Sequence, residues 1–323
     1  MTSHRDAPIL ALDLGGTKHA AAAWWSGLSR FESVERVSAP SAATADADVA
    51  AVIDLARRAL SGRRPTAIGV SFGGPVTSDG RRVARSHHVA GWDERPLAEE
   101  LEAVFDAPTR LENDGNAGAL GELSFGAGRG REALLYVTVS TGVGGGVVLL
   151  GALWRGVHGT AGEFGHTLAD PHGPPCVCGR HGCVESLASG QAIAAAARTA
   201  LRSDPSAAPR LLERCGGDPE RVSGQDLAAL ADVEPLAAEL LARSGAVVGR
   251  AVGAVANLLD PGVALLAGGV TRAGPPFWGP LLRAVDSQRM PEVTCRVERA
   301  ALGDEAPLWG AVAVAQDHVW RDA

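Results

Sequence analysis

The sequence predicts an α/β protein of two related halves, with a metal-binding loop in the second half. Three observations carry that prediction. Apolar strand-like runs alternate with segments of helical period. An apolar run, a glycine turn and a second run occur twice, at 9–25 and at 133–150. Three of the five cysteines gather with a histidine between Glu163 and Glu185.

Ile9 to Leu14 and His19 to Trp25 are apolar runs joined by Gly15-Gly16-Thr17-Lys18, which reads as a β-hairpin. Paired glycines let backbone amides approach a phosphate, and Thr17 adds a hydroxyl donor. Asp13, at the strand end, could hold Mg²⁺ through water. The same turn could equally be purely structural. Phe31 to Ala39 reads as a third strand, and Asp46 to Leu60 carries apolar residues at helical spacing and ends at Gly62. Thr66 to Phe72 is a strand closed by Gly73-Gly74-Pro75, and Pro96 to Phe105 is a helix with proline in its first turn. His87 and His88, in the loop 86–92, could touch a substrate or be ordinary exposed histidines.

Thr109 to Leu111 runs as a strand into Glu112-Asn113-Asp114-Gly115-Asn116, and helix follows from Ala117 to Glu122. One Asn or Asp there would serve as a helix N-cap. Four polar residues exceed what capping needs, so this junction is a candidate site. Ala133 to Ser140 is a strand, followed by the turn 141–146 and a strand from Val147 to Leu150. Glu185 to Leu201 reads as helix, 203–223 as an exposed connection, and 227–259 as helix in two pieces around Pro235. The spacing of Gly245, Gly249 and Gly253 gives the second piece a smooth face for close packing. Val263 to Ala267 is a strand leading to Gly268-Gly269. Pro280 to Ser287 is a helix, Glu292 to Val297 a strand, and Ala306 to His318 a closing helix.

Cys176, Cys178, Cys183 and His166 make a closed tetrahedral set of the kind a structural zinc ion takes. Gly173, Pro174, Pro175, Gly179 and Gly182 bend the backbone enough to gather them. His172 and His181 are rival ligands, and three small buried residues are the bland alternative. Four protein ligands leave no open position for water, so the metal would support a site rather than carry its chemistry. Glu163 and Glu185 flank the cluster. Cys215 and Cys295 read as inert packing residues.

The formal net charge is −7 with no basic run, which excludes a broad nucleic-acid-binding face. The apolar stretch 9–14 is too short for a signal-peptide core or a membrane span, and the tract 245–270 is broken by Arg250 and Asp260. The expectation is a soluble cytoplasmic protein with reduced thiols.

Taken together, these motifs resemble the ROK family of sugar kinases and sugar-responsive repressors, in the two-lobed sugar kinase–actin–Hsp70 (ribonuclease H-like) fold. The likeness runs from Asp13 to about Gly310. It rests on the stretch Val139 to Val147 continuing to Gly156 and Gly165-His166, with the His166, Cys176, Cys178, Cys183 set following. The resemblance implies a smaller lobe of 1–112 plus 306–323, and a larger lobe of 113–305 holding the zinc loop 166–183. It implies that Asp13, Gly15, Gly16, Thr17, Lys18, Thr141, Gly142 and Gly144 hold ATP phosphates with Mg²⁺, and that Gly268 and Gly269 lie against the adenosine. Asn113 and Asp114 match the family's sugar-binding Asn and catalytic Asp. Glu163, His166 and Glu185 match its sugar contacts, and Gly74 falls where a turn nears the sugar. The implied reaction is phosphorylation of a hexose hydroxyl, with glucose favoured over N-acetylmannosamine, N-acetylglucosamine or fructose. A homodimer is implied as well. Repressor members carry a helix-turn-helix before the first phosphate loop; that loop begins here at residue 13, which favours a kinase over a non-catalytic regulator. The loop 87–92 departs from the Asn-Leu-Pro-Gly-Trp type common in the family, which leaves the sugar open.

Overall fold

The computed structural model describes residues 7–39, 44–85 and 89–316; His87 and His88 lie outside them. The chain forms two compact units: Met1–Glu132 with Gly146–Gly162 and Ala300–Ala323, and Ala133–Gly145 with Glu163–Arg299.

In the first unit, β1 (Ile9–Leu14) and β2 (Lys18–Trp24) form the expected hairpin, and β3 (Val34–Ser38) extends it. β4 (Ala67–Phe72) and β5 (Thr109–Asn113) join in parallel, giving the order β3-β2-β1-β4-β5. Side chains alternate across this sheet. Leu10, Leu12 and Leu14 share a core with Val52 and Leu55 of α1 (Ala45–Leu60) and Leu101 of α2 (Leu97–Phe105). Ala11, Ala20, Ala22 and Trp24 face the other way, against Leu308, Trp309 and Val312 of the closing helix, Ala306–Ala315. That helix lies directly on α3 (Asp114–Phe125): a Cβ on Gly310 would come 1.8 Å from the Ala117 carbonyl oxygen. Backbone contact this close fixes the axis of α3, and α3 begins at the candidate catalytic residue.

A second five-stranded sheet has the order β10-β9-β6-β7-β8. Its strands are β6 (Leu134–Val139), β7 (Val143–Leu149), β8 (Ala152–Leu153), β9 (Val263–Ala267) and β10 (Arg296–Arg299). β9 runs parallel to both β6 and β10. The sequence places a strand start at Val147, but β7 starts at Val143, so Gly144, Gly145 and Gly146 are strand residues rather than turn. The reason is packing. A Cβ on Gly146 would lie 2.7 Å from both the Ala119 Cβ and the Gly115 carbonyl oxygen, so this strand admits no side chain where α3 crosses it.

Other boundaries also move. The helix expected over 185–201 is two, α4 (Val184–Ala188) and α5 (Gly190–Ser203). Ser189 is extended, and its hydroxyl accepts from the Ala192 amide at 3.1 Å, restarting the helix as an N-cap. The connection 203–223 is folded, with α6 (Pro209–Arg214) and with Leu211 and Val222 fully buried. The piece before Pro235 is the short α7 (Gly224–Ala229), and α8 (Pro235–Leu259) follows. Gly245, Gly249 and Gly253 let α8 lie on the backbone of α9 (Pro275–Gln288), as the smooth face predicted. α9 starts five residues before its expected start, because Pro275 and Pro276 occupy the first turn, where a missing N–H breaks no helical bond. No helix among the described residues is long and apolar enough to cross a membrane.

Candidate active site and metal centre

The carboxyl ends of the parallel strands in the first unit carry a polar row. Register pairs Asp13 on β1 with Ser71 on β4, and Ser71 with Glu112 on β5. Asp13 is 7 % exposed and accepts a hydrogen bond from Ser71 Oγ at 2.9 Å. Burial pushes its carboxyl up to about 6, with Ser71, Lys18, His19 and Arg36 pulling the other way. Gly15 donates to the Lys18 carbonyl at 3.1 Å and closes the hairpin, leaving Gly16, Thr17 and Lys18 exposed at its tip. Lys18 Nζ stands 3.9 Å from Asp304. Gly73 donates to Leu14 at 2.9 Å, so the turn after β4 lies against the turn after β1.

Asn113 is the N-cap of α3. Its Oδ1 accepts from the amides of Gly115 at 3.0 Å and Asn116 at 3.2 Å, while its Nδ2 donates to the Gly74 carbonyl at 3.2 Å. Asp114 is the first helical residue and half-buried; its Oδ1 accepts from Gly115 N at 2.8 Å. A carboxylate there sits at the positive end of the helix dipole. Capping therefore falls to Asn113, which keeps Asp114 beside it as the candidate for chemistry. Beneath them Glu112 is buried. It accepts from Asn113 N, from Asn116 Nδ2 and from Arg155 Nε at 3.1, 3.0 and 2.7 Å.

In the second unit the strand-end turn is shorter than expected. Ser140 N bonds to the Gly142 carbonyl at 2.9 Å, leaving Thr141 exposed and Gly142 half-buried, while Gly144 lies inside β7. Three elements hold this turn. Gly190 donates to the Ser140 carbonyl at 2.7 Å, Glu185 Oε2 accepts from Val143 N at 3.0 Å, and a Cβ on Gly165 would sit 1.9 Å from the Val143 oxygen. Gly268, with φ +94°, lies against the Val139 backbone at the end of β6, and Gly269 opens a short 3₁₀ turn. Glu163 is exposed, and His166 Nε2 is 3.9 Å from its Oε2.

The four predicted ligands come together. The nitrogen and sulfur atoms of His166, Cys176, Cys178 and Cys183 all lie within 4.8 Å of one another. Cys176 Sγ is 3.5 Å from His166 Nδ1, and Cys178 Sγ is 3.6 Å from Cys183 Sγ. A tetrahedron with metal–ligand bonds of about 2.0–2.3 Å has edges of about 3.3–3.8 Å, which these two separations match, and the donor set is one that zinc takes. His172 and His181 are exposed and stand apart from it. Tight turns do the gathering: Gly179 N bonds to Cys176 O, Cys176 N to Arg180 O, and Gly182 N to Pro174 O. Burial opposes the Cys178 thiolate, but hydrogen bonds from the Arg180 amide and guanidinium, and from the two other thiols, bring it down to about 6. Burial and the neighbouring thiols push Cys183 up to about 12. Three crowded thiols do not all ionise unaided, and a dication would supply the missing charge.

Sequence reasoning missed Ser71, Arg155 and Arg180. Ser71 had a signal, a hydroxyl in an otherwise apolar strand two residues before a glycine turn. Arg155 had none, since 43 residues separate it from Glu112.

Two five-stranded sheets, with glycine turns at strand ends and an acid opening a helix, match the fold of a sugar kinase. A solved ROK family glucokinase from Streptomyces griseus, in complex with glucose and AMPPNP, superposes with a TM-score of 0.88 at 30 % identity, covering 96 % of this chain and 99 % of that one. The family model described as ROK family matches residues 9–318, and the chain belongs to that family. A glucokinase of Streptomyces coelicolor is 31 % identical over 314 residues, 95 % of this chain and 97 % of that one. An N-acetylmannosamine kinase of Salmonella paratyphi A is 44 % identical over 193 residues, 59 % of this chain and 65 % of that one.

Proposed function

We propose that this chain, a ROK-family sugar kinase, transfers the γ-phosphoryl group of ATP to the O6 hydroxyl of glucose. The observation that carries the mechanism is Asp114 at the first position of α3, with the capping duty taken by Asn113. Phosphoryl transfer asks for positioning and charge neutralisation more than covalent help. In this reading Asp114 takes the proton of the attacking hydroxyl and Asn113 holds a neighbouring one. Glu163, His166 and Glu185 hold the remaining hydroxyls, carboxylates being good acceptors for them. Gly15, Gly16, Thr17 and Lys18, with Thr141, Gly142 and Gly144, hold the phosphates, while Gly268 and Gly269 lie against the adenosine. Asp13 is the residue that would hold Mg²⁺, which when bound offsets phosphate charge. His166, Cys176, Cys178 and Cys183 would hold Zn²⁺, which stiffens the loop carrying Glu163 and Glu185.

Glucose is favoured because the glucokinase likeness runs the length of the chain. The higher identity to the N-acetylmannosamine kinase, over a shorter stretch, makes N-acetylmannosamine the second reading. A cytoplasmic place and a homodimer belong to this proposal; use of ATP and the five unpaired cysteines support the first, and sedimentation tests the second. The deciding experiment couples ADP release to a panel of glucose, fructose, mannose, N-acetylglucosamine and N-acetylmannosamine. Glucose should give the highest kcat/KM. Asp114→Asn should abolish turnover while sugar binding stays measurable, and near-normal turnover in that variant would remove Asp114 from its role.

A further inference from the structure

One buried polar cluster in the first unit has no part in the mechanism above. His19, Asp48 and Trp92 are 3 %, 4 % and 2 % exposed. His19 Nε2 is 3.0 Å from Asp48 Oδ1, and the Trp92 indole N–H donates to Asp48 Oδ2 at 3.3 Å. A carboxylate only accepts, so Nε2 carries the imidazole proton toward it. His19 Nδ1 is buried with no partner. A fold that needed only stability would fill these three positions with apolar side chains, because a buried ionic cluster brings little net stabilisation.

What the cluster joins explains its position. His19 directly follows the phosphate-side turn and pairs with Leu14 across the hairpin. Trp92 meets Phe72 edge to face, ring centroids 4.9 Å apart, and the Phe72 ring would be 3.0 Å from a Cβ on Gly74. Gly74 is the residue whose carbonyl holds Asn113. The loop carrying Trp92 is strapped to the start of α1, where Ala45 N donates to the Ala90 carbonyl at 3.1 Å. Arg95 lies over the outer face of the Trp92 ring, 5.5 Å from its centroid, held by Asp46 and Glu100. Asp48, in the first turn of α1, touches the hairpin through His19 and the Trp92 loop through the indole.

We infer that Asp48 is a positioning residue that sets the hairpin turn through His19 and the Gly74–Asn113 contact through Trp92 and Phe72, so that nucleotide and sugar binding both depend on it. The inference rests on the kinase reading.

The test is steady-state kinetics of the full chain on ATP and glucose, with melting temperatures, for Trp92→Phe, Asp48→Ala and Asp48→Asn. Trp92→Phe keeps a ring against Phe72 and loses the indole donor with part of the ring; KM for glucose should rise about fivefold while KM for ATP stays within about twofold. Asp48→Ala strands both partners and should raise both KM values about tenfold. Asp48→Asn keeps an acceptor for the indole and a polar partner for His19, and should bring both back to within about threefold of wild type. Variants that melt earlier but keep both KM values within about twofold of wild type would make the cluster a stability device and overturn the inference alone. A wild-type chain that turns over no sugar on the panel would overturn the kinase reading and this inference with it.

Discussion

Replacing Asp13 with asparagine should make the protein more stable and less active, and the size of the first effect follows from its burial. The carboxyl is moved from its ordinary value of 3.8 to about 6, mainly by desolvation. A folded-state value above the unfolded one means that ionisation weakens the fold. The carboxyl's favourable contribution is whole below about pH 4 and is lost as the pH rises through about 6. Above both values the cost is about 3 kcal/mol. An amide carries no charge and still accepts from Ser71 Oγ, but its NH₂ group needs a partner, which returns about 1 kcal/mol or more. Asp13→Asn should therefore be about 1–2 kcal/mol more stable at pH 7.5, a rise of a few degrees in Tm. The gap should close by about pH 4, where the folded wild type is protonated. Thermal melts from pH 4 to pH 8, without nucleotide, read both. In the same variant kcat/KM for ATP should fall by about a hundredfold, as expected for loss of a preorganised group at a charged centre. A variant less stable at pH 7.5, or one whose advantage is the same at pH 4, would refute the claim that Asp13 is a strained acid kept for function.

Three further substitutions separate support from contact. Cys178→Ser should lose bound zinc by elemental analysis and raise KM for the sugar; a metal-free variant with wild-type kinetics would show that the cluster does not serve the site. Gly165→Ala places a Cβ 1.9 Å from the Val143 oxygen, so Tm should fall by an amount equivalent to about 2 kcal/mol or more and both KM values should rise. Glu185→Gln keeps an acceptor for the Val143 amide, so Tm should hardly move while KM for the sugar rises about tenfold through the lost charge; an unchanged KM would confine Glu185 to the turn.

Local chemistry made most of the elements legible. The hairpin 9–24, α1, α2, β9 and the two-piece helix around Pro235 follow from alternation, helical period, proline and glycine. The metal set was legible because four ligand-type residues lie within eighteen positions of one another. What the sequence hid were long-range reasons. Gly144–Gly146 look like a loop until α3 is seen crossing β7, and the segment 203–223 looks exposed until Leu211 and Val222 are found in the core. The Glu112–Arg155 pair and the His19–Asp48–Trp92 cluster join residues that no periodicity relates. The Ser189 break could have been read, since a serine followed by glycine in an alanine-rich helix is a capping signal.

The geometry of the second unit also bears on what a metal at the candidate site would do for the Thr141–Val143 turn. His166 is one candidate ligand, and Gly165 before it rests on the Val143 carbonyl. Cys183 is another candidate ligand and the N-cap position of α4, whose Glu185 accepts from the Val143 amide. Both backbone polar groups of Val143 are thus met by residues one or two positions from a candidate ligand. Fixing four ligand atoms to a common centre would immobilise both arms at once, whereas the loop backbone alone, rich in glycine and proline, leaves each arm its own freedom. The expected consequence of metal loss is therefore loosening of the Thr141–Val143 turn together with Glu163 and Glu185, so a chelated protein should weaken for nucleotide as well as for sugar, and a loss confined to sugar binding would break this link.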